Sequence, residues 1–198
     1  MTPRQYFSAV NSGPWVTSGQ DVQYRIEVSA QAITLFFQPT ESLSDWVHNF
    51  DFPAVPYKDM TVIWRAHRGF VELWKSVRDE VAKKILDSYQ SYPLPLVVVG
   101  YSEGAAIALL AYEDLRFRLP KALIQGIGFG TPRVLWGPSP DARFDSFVRY
   151  SVRGDIVTMV PPWLFGFHHV GKSIKVGPVH FPWWVQHTPE QYLDYLPA

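Results

Sequence analysis

The stretch Leu94-Pro95-Leu96-Val97-Val98-Val99-Gly100-Tyr101-Ser102-Glu103-Gly104-Ala105-Ala106-Ile107-Ala108-Leu109-Leu110 decides the fold. Leu96 to Val99 is an apolar, β-branched run and reads as a buried strand. It meets Gly100-Tyr101-Ser102-Glu103-Gly104, a G-x-S-x-G, after which small and apolar residues continue as a helix. In that strand–turn–helix context the turn is so tight that Ser102 is expected in a strained backbone conformation, its hydroxyl pushed out over the end of a sheet. A side chain at 100 or 104 would crowd the turn, which explains both glycines. The competing reading is a tight turn whose serine caps the helix. The partners available downstream favour an activated serine.

Other strands and helices alternate around this centre. Ala32 to Phe37 reads as a strand, broken by Gln38-Pro39-Thr40, and Val22 to Val28 as a half-buried strand or a helix. Leu43, Trp46, Val47 and Phe50 fall on one face of a short helix, either a lid over the site or an element packed on the core. Residues 52–57 read as a loop and Met60 to Trp64 as a strand. A long helix from Phe70 to about Tyr89 carries Phe70, Trp74, Val77, Val81, Ile85 and Leu86 on one face. Ala122 to Phe129 and Phe147 to Val152 are further strands. Pro161 to Phe167 is a rigid apolar loop, Ser173 to Val176 an edge strand or hairpin, and Pro189 to Leu196 a short helix. This alternation predicts an α/β architecture, a mostly parallel central sheet flanked by helices in a single domain over residues 1–198.

Bulk properties exclude several function classes. Of the 198 residues 47% are hydrophobic and 18% charged, which describes a globular chain rather than a disordered one. Eighteen Lys and Arg balance eighteen Asp and Glu, so nothing supports nucleic-acid binding or a polybasic membrane anchor. With no cysteine there is no disulfide, thiolate nucleophile or cysteine-ligated metal. No apolar run approaches the roughly 20 residues of a membrane span. Met1 to Phe7 lacks the apolar core of a secretory signal, so a cytoplasmic protein is expected.

A serine hydroxyl needs a base within hydrogen-bond reach, and the base needs an orienting carboxylate. In this architecture the order is serine, acid, histidine. Asp155 follows the strand ending at Val152 and fits the acid position, though an aspartate beside Gly154 is also a common turn former. His168, His169, His180 and His187 are all available as base. The oxyanion of an acyl-transfer intermediate needs two backbone N–H donors: one from Glu103, after the serine, and one from the loop near Thr40.

From about Ile33 to Tyr192 the chain resembles the class 3 lipase family of α/β hydrolases. Phe37-Gln38-Pro39-Thr40 with Asp45-Trp46 and Asn49 is similar to the family's oxyanion and lid stretch, and His67-Arg68-Gly69-Phe70 to its H-x-G-F. Phe129-Gly130-Thr131-Pro132-Arg133 is similar to its F-G-x-P-R. Asp155-Ile156-Val157, Pro161-Pro162 and Gly166 to Gly171 follow in the family's order, as does His187 with Tyr192. The resemblance implies an α/β-hydrolase fold and a serine esterase acting on lipid or other acyl esters, with Ser102 as nucleophile, Asp155 as acid and His187 as base. It makes His169 the family's non-catalytic histidine and Thr40 the second oxyanion donor. No metal or organic cofactor is implied. Trp46, Trp163, Phe165 and Trp184 are candidates for acyl binding or transient contact with a lipid surface.

The chain departs from the family in three places. Gln38-Pro39 stands for Arg-Gly, which fixes φ where glycine was free. Tyr101 and Glu103 flank the serine in place of His and Leu, and little chain separates Asp155 from His187. A phospholipase, a small-ester esterase, or a catalytically impaired member that binds lipid or protein are the alternative readings. Substitution separates the histidines: His187→Ala is expected to reduce ester turnover by about 10⁶-fold, whereas His168→Ala leaves a folded, active protein. Kinetics on the two purified variants check this, and the reverse pattern would identify a different base.

Overall fold

The structure, a computed structural model, describes residues 1–38, 53–59, 62–138, 141–179 and 186–198. The chain opens with helix α1 (Pro3–Val10), then strands β1 (Val16–Ser18), β2 (Val22–Val28) and β3 (Ile33–Phe37). β4 (Ala54–Asp59) and β5 (Val62–His67) lead into the long helix α2 (Arg68–Ser91). The central unit is β6 (Leu96–Tyr101), helix α3 (Glu103–Arg118) and β7 (Ile124–Phe129). β8 (Leu135–Trp136), β9 (Phe147–Val152), β10 (Phe167–His168), β11 (Lys172–Val176) and helix α4 (Pro189–Tyr195) complete the chain.

Among the described residues the main sheet has seven strands in the order β1-β2-β3-β6-β7-β9-β11. From β3 to β11 all neighbours pair in parallel, while β1 and β2 pair antiparallel. β6, in the middle, is buried along its whole length, as its unbroken apolar run requires. One face packs on α2 and α3 through Trp74, Val81, Ile85 and Leu109. The other packs on α1 and α4 through Phe7, Phe36, Phe129, Tyr192 and Leu196. The predicted stripe of α2 is the buried one, with Leu86 partly buried at its margin. Parallel strands bring the ends of β3, β6, β7 and β9 to one edge, the place where open α/β sheets carry their sites.

Several expectations are refined. The N-terminal segment, uninformative by pattern, holds α1, which a reciprocal capping box between Thr2 and Gln5 starts, with Pro3 in its first turn. Residues 54–57, expected in a loop, belong to β4. Pro56 is tolerated there because β4 is the edge of a second, antiparallel sheet in the order β10-β8-β5-β4. Val22 to Val28 is a strand, and Ser173 to Val176 lies in a parallel edge strand rather than a hairpin. The loop at 161–167 contains a 3₁₀ turn, Trp163–Phe165, with all three side chains exposed. The proposed lid at 42–50 lies outside the described residues.

His169 is held in the fold by a hydrogen bond from Nε2–H to the Thr158 carbonyl at 2.8 Å. Burial, and then the charge of Arg149, push its pKa down to about 3. The unfolded chain therefore takes up this proton near pH 6.5 and the folded chain does not. The stabilisation is complete above pH 6.5 and is lost as pH falls toward about 3, by up to about 1.4 kcal/mol per pH unit. Denaturant unfolding across that window should show a steeper loss in the wild type than in His169→Gln.

Candidate active site

Ser102 is one of two non-glycine residues with positive φ among the described residues, at φ 57° and ψ −124°. Such a conformation costs about 1–3 kcal/mol and persists only where the surroundings impose it. Here they do. A Cβ on Gly100 would lie 2.2 Å from the Gly104 carbonyl oxygen, and one on Gly104 would lie 2.4 Å from the Phe37 carbonyl oxygen. The Ser102 N–H donates to the Phe129 carbonyl at 2.8 Å, tying the turn to β7. Although Ser102 precedes α3, its side chain makes no capping hydrogen bond to the helix. The helix-cap reading of the serine therefore fails.

The hydroxyl instead meets His187. Ser102 Oγ and His187 Nε2 are 2.7 Å apart, and His187 Nδ1 lies 2.8 Å from Asp155 Oδ2. The Asp155 side chain has no solvent exposure, and the imidazole has little. Asp155 makes contacts in two directions. Its Oδ1 accepts the Val157 N–H at 2.9 Å and caps the 3₁₀ turn Ile156–Met159, while Oδ2 faces the imidazole. Of the four histidines open by pattern, the structure brings His187 to the serine. His169 is engaged elsewhere, and His180 is outside the described residues.

Three further residues shape this cluster. The Tyr192 hydroxyl donates to Asp155 Oδ2 at 2.5 Å. The Tyr101 hydroxyl donates to the His187 carbonyl at 2.7 Å, and its ring stacks on the imidazole at 5.1 Å between centroids and 21° between planes. Burial first, then the negative charge of Asp155, raises the pKa of both phenols, so both remain donors at neutral pH. Gly130 has φ +58°, and a Cβ there would lie 2.7 Å from His187 Cε1, so the glycine leaves room for the ring. Tyr192 and Gly130 stood in the recognised motifs without an assigned contact. Tyr101 stood out only as a departure, and nothing in its local pattern points to a loop 86 residues away.

Glu103 is buried at the start of α3. The first N–H groups of a helix lack intrahelical acceptors. Trp163 and Phe165 are exposed on the turn after Pro162. Thr40, Trp46 and Trp184 lie outside the described residues. The arrangement is chemically equipped to move a proton: a hydroxyl meets one imidazole nitrogen, and the other nitrogen is fixed by a buried carboxylate.

The family model for lipase (class 3) matches residues 34–165. The lipase of Rhizomucor miehei is 30% identical over 158 residues, covering 73% of this chain and 42% of that protein. The secreted mono- and diacylglycerol lipase A of Penicillium cyclopium is 30% identical over 154 residues, covering 75% of this chain and 49% of its own length. The secreted mono- and diacylglycerol lipase MDL2 of Malassezia globosa is 31% identical over 121 residues, with 59% and 39% covered. The chain thus spans less than half the length of these relatives. A solved structure of the Rhizomucor miehei triacylglyceride lipase superposes with a TM-score of 0.74 at 25% identity, covering 82% of this chain and 64% of that one. The cytoplasmic setting expected from the N-terminal residues is corrected by these relatives. Two of them are secreted proteins, which points outside the cell. With an α/β-hydrolase sheet, the serine elbow and this sequence match, the chain belongs to the class 3 lipase family.

Proposed function

We propose that this chain is a serine ester hydrolase that cleaves acyl esters of lipids, acylglycerols among them, through an acyl-enzyme intermediate. The observation that carries the proposal is the pair of contacts linking Ser102 Oγ to His187 Nε2 at 2.7 Å and His187 Nδ1 to Asp155 Oδ2 at 2.8 Å. Ser102 is the nucleophile, His187 the base and Asp155 the acid. Ser102 Oγ attacks the ester carbonyl carbon as its proton passes to His187 Nε2. The tetrahedral intermediate collapses, the bond to the alcohol breaks, and the alcohol leaves with the proton from Nε2. Water then gives a proton to Nε2 and adds to the acyl carbon. Ser102 Oγ leaves with that proton, and the free acid departs. Asp155 orients the ring and faces the transient imidazolium with its carboxylate.

The N–H of Glu103, at the positive end of α3, is the proposed first oxyanion donor. Thr40, outside the described residues, is proposed as the second. Each such donor is worth about 3 kcal/mol of transition-state stabilisation. The relatives that are mono- and diacylglycerol lipases support an acylglycerol substrate. Leu164, with 74% of its surface exposed, lies between exposed Trp163 and Phe165 and supports transient contact with a lipid surface. Among the described residues no helix is long and apolar enough to cross a membrane. One α/β-hydrolase domain over residues 1–198 is supported by the two cores, which share the main sheet.

Hydrolysis of nitrophenyl esters of graded acyl length tests the proposal. Wild type is expected to turn over, with Ser102→Ala lower by about 10⁶-fold at matched folding. The best chain length distinguishes lipase from small-ester esterase, and failure at every length would sink the hydrolase reading. Tyr192→Phe removes a hydrogen bond to a buried carboxylate, an interaction of about 1.5–3 kcal/mol. It is expected to lower kcat by about ten- to hundredfold with KM little changed. A shift in thermal midpoint with kcat unaltered would leave Tyr192 with a structural role only.

A further inference from the structure

One face of β9 and β11 gathers positive charge. Side chains two apart on a strand share a face, so Arg149 and Ser151 point together. The parallel register sets Arg149 opposite Ser173 and Ser151 opposite Lys175. Arg133, after β7, and Arg153, just beyond β9, join them around a cavity of about 660 Å³. The chain as a whole is balanced in charge, eighteen against eighteen. Among the described residues this cavity has four cations and a single acid, Asp155. The carboxylate of Asp155 is fully buried and engaged by His187, Tyr192 and the Val157 N–H.

Arg149 is the most informative of the four. It is 8% exposed. A charge so buried is ordinarily paired, because desolvating it costs several kcal/mol. Yet among the described residues its guanidinium makes one hydrogen bond, Nε–H to the Val170 carbonyl at 2.7 Å. Among the described residues no carboxylate lies within ion-pair distance of it. Burial, followed by the charge of Arg133, draws its pKa down to about 10. Arg133 donates to the carbonyls of Met159 and Pro161, and Arg153 donates to the Gly177 carbonyl at 2.6 Å. Carbonyl oxygens orient these forks but do not neutralise them.

We propose that this cavity is an anion site that takes a phosphate group, either free or as the headgroup of a phospholipid, held by Arg133, Arg149, Arg153 and Lys175. A phosphate monoester brings about two negative charges and three acceptor oxygens, which suits several guanidinium forks at once. A single carboxylate would leave most of the cations unmatched. Met159 and Val179, both lining the cavity and exposed, give its mouth an apolar rim that suits the glycerol and acyl part of a phospholipid. The site adjoins the Ser102–His187–Asp155 cluster at Asp155 and includes neither Ser102 nor His187.

Thermal unfolding of the full chain in sodium phosphate, against sodium chloride at equal ionic strength, is the first test. A saturable rise in midpoint with phosphate is expected. Arg149→Gln should weaken the response by about tenfold or more. Because that change also removes a buried contact, Ser173→Glu is the second variant. It sets a carboxylate on an exposed position in register with Arg149, and is expected to abolish the phosphate response while the midpoint without phosphate stays at or above that of wild type. Co-sedimentation with phosphatidylcholine vesicles, with and without phosphatidic acid, separates the sources. Retention that requires phosphatidic acid and is lost in Ser173→Glu assigns the headgroup; a phosphate shift without retention assigns free phosphate. No response beyond that to chloride, or an equal response in Ser173→Glu, overturns the proposal. None of these readouts needs turnover, so they stand or fall apart from ester hydrolysis.

Discussion

The backbone of α3 passes so close to the end of β3 that one methyl group on Gly104 would collide with the Phe37 carbonyl oxygen. Much of the site depends on that approach. It forces the chain between β6 and α3 into a turn that no relaxed residue would adopt, and Ser102 takes the positive φ. The hydrogen bond from Ser102 N–H to Phe129 holds the strained residue against β7, so the conformation is set by three neighbouring strands at once. The turn therefore presents the hydroxyl away from the helix that follows it. A serine free to cap α3 would have spent its oxygen on backbone N–H groups.

The second organising interaction is the carboxylate of Asp155. With no solvent to satisfy it, the group must collect donors from the protein. It does so from three directions: the Val157 N–H in its own turn, the imidazole of His187 and the phenol of Tyr192. The last two come from the C-terminal segment, more than thirty residues away. The polar demand of one buried oxygen pair thus helps to fasten α4 and the segment before it against the ends of β6 and β9. Tyr101 reinforces this by stacking on the imidazole and donating to the His187 carbonyl. That contact gives a physical role to a residue that departs from the family's histidine.

Charge is distributed unevenly around this core. Exposed pairs such as Lys83 with Asp87 contribute little to stability in water. The cations of the β9–β11 edge differ: among the described residues buried Arg149 has no carboxylate within ion-pair distance, and Arg133 and Arg153 are oriented by carbonyls. His169 lines the same cavity, and burial and the charge of Arg149 keep it neutral. Burial of the Arg149 guanidinium carries a desolvation cost, which an anionic ligand would offset. The sequence match covers a chain less than half the length of the named relatives. The strands that carry the serine, the acid and the basic edge all lie within this shorter span.

What the sequence determined by itself was local. The apolar run before Gly100, the two elbow glycines, the α2 stripe and the order of the motifs mark the strand–turn–helix unit and the α/β class, because short-range sterics and period-of-burial patterns act within a few residues. Helix α1 was not read from the sequence, because residues 1–29 lack a decisive apolar pattern; the structure shows it started by the Thr2–Gln5 capping box. The conformation of residues 54–57 was not legible, since a proline-containing stretch becomes a strand only when a partner such as β5 lies beside it. Local pattern left four histidines open as base. The resemblance singled out His187, and tertiary packing placed it 2.7 Å from Ser102 across 85 residues of chain. The partners of Tyr192, the stacking of Tyr101 and the hydrogen bond of Arg149 to the Val170 carbonyl were likewise decided by the tertiary structure. Each is a contact between segments remote in sequence, and burial sets its energy only once the sheet has brought those segments together.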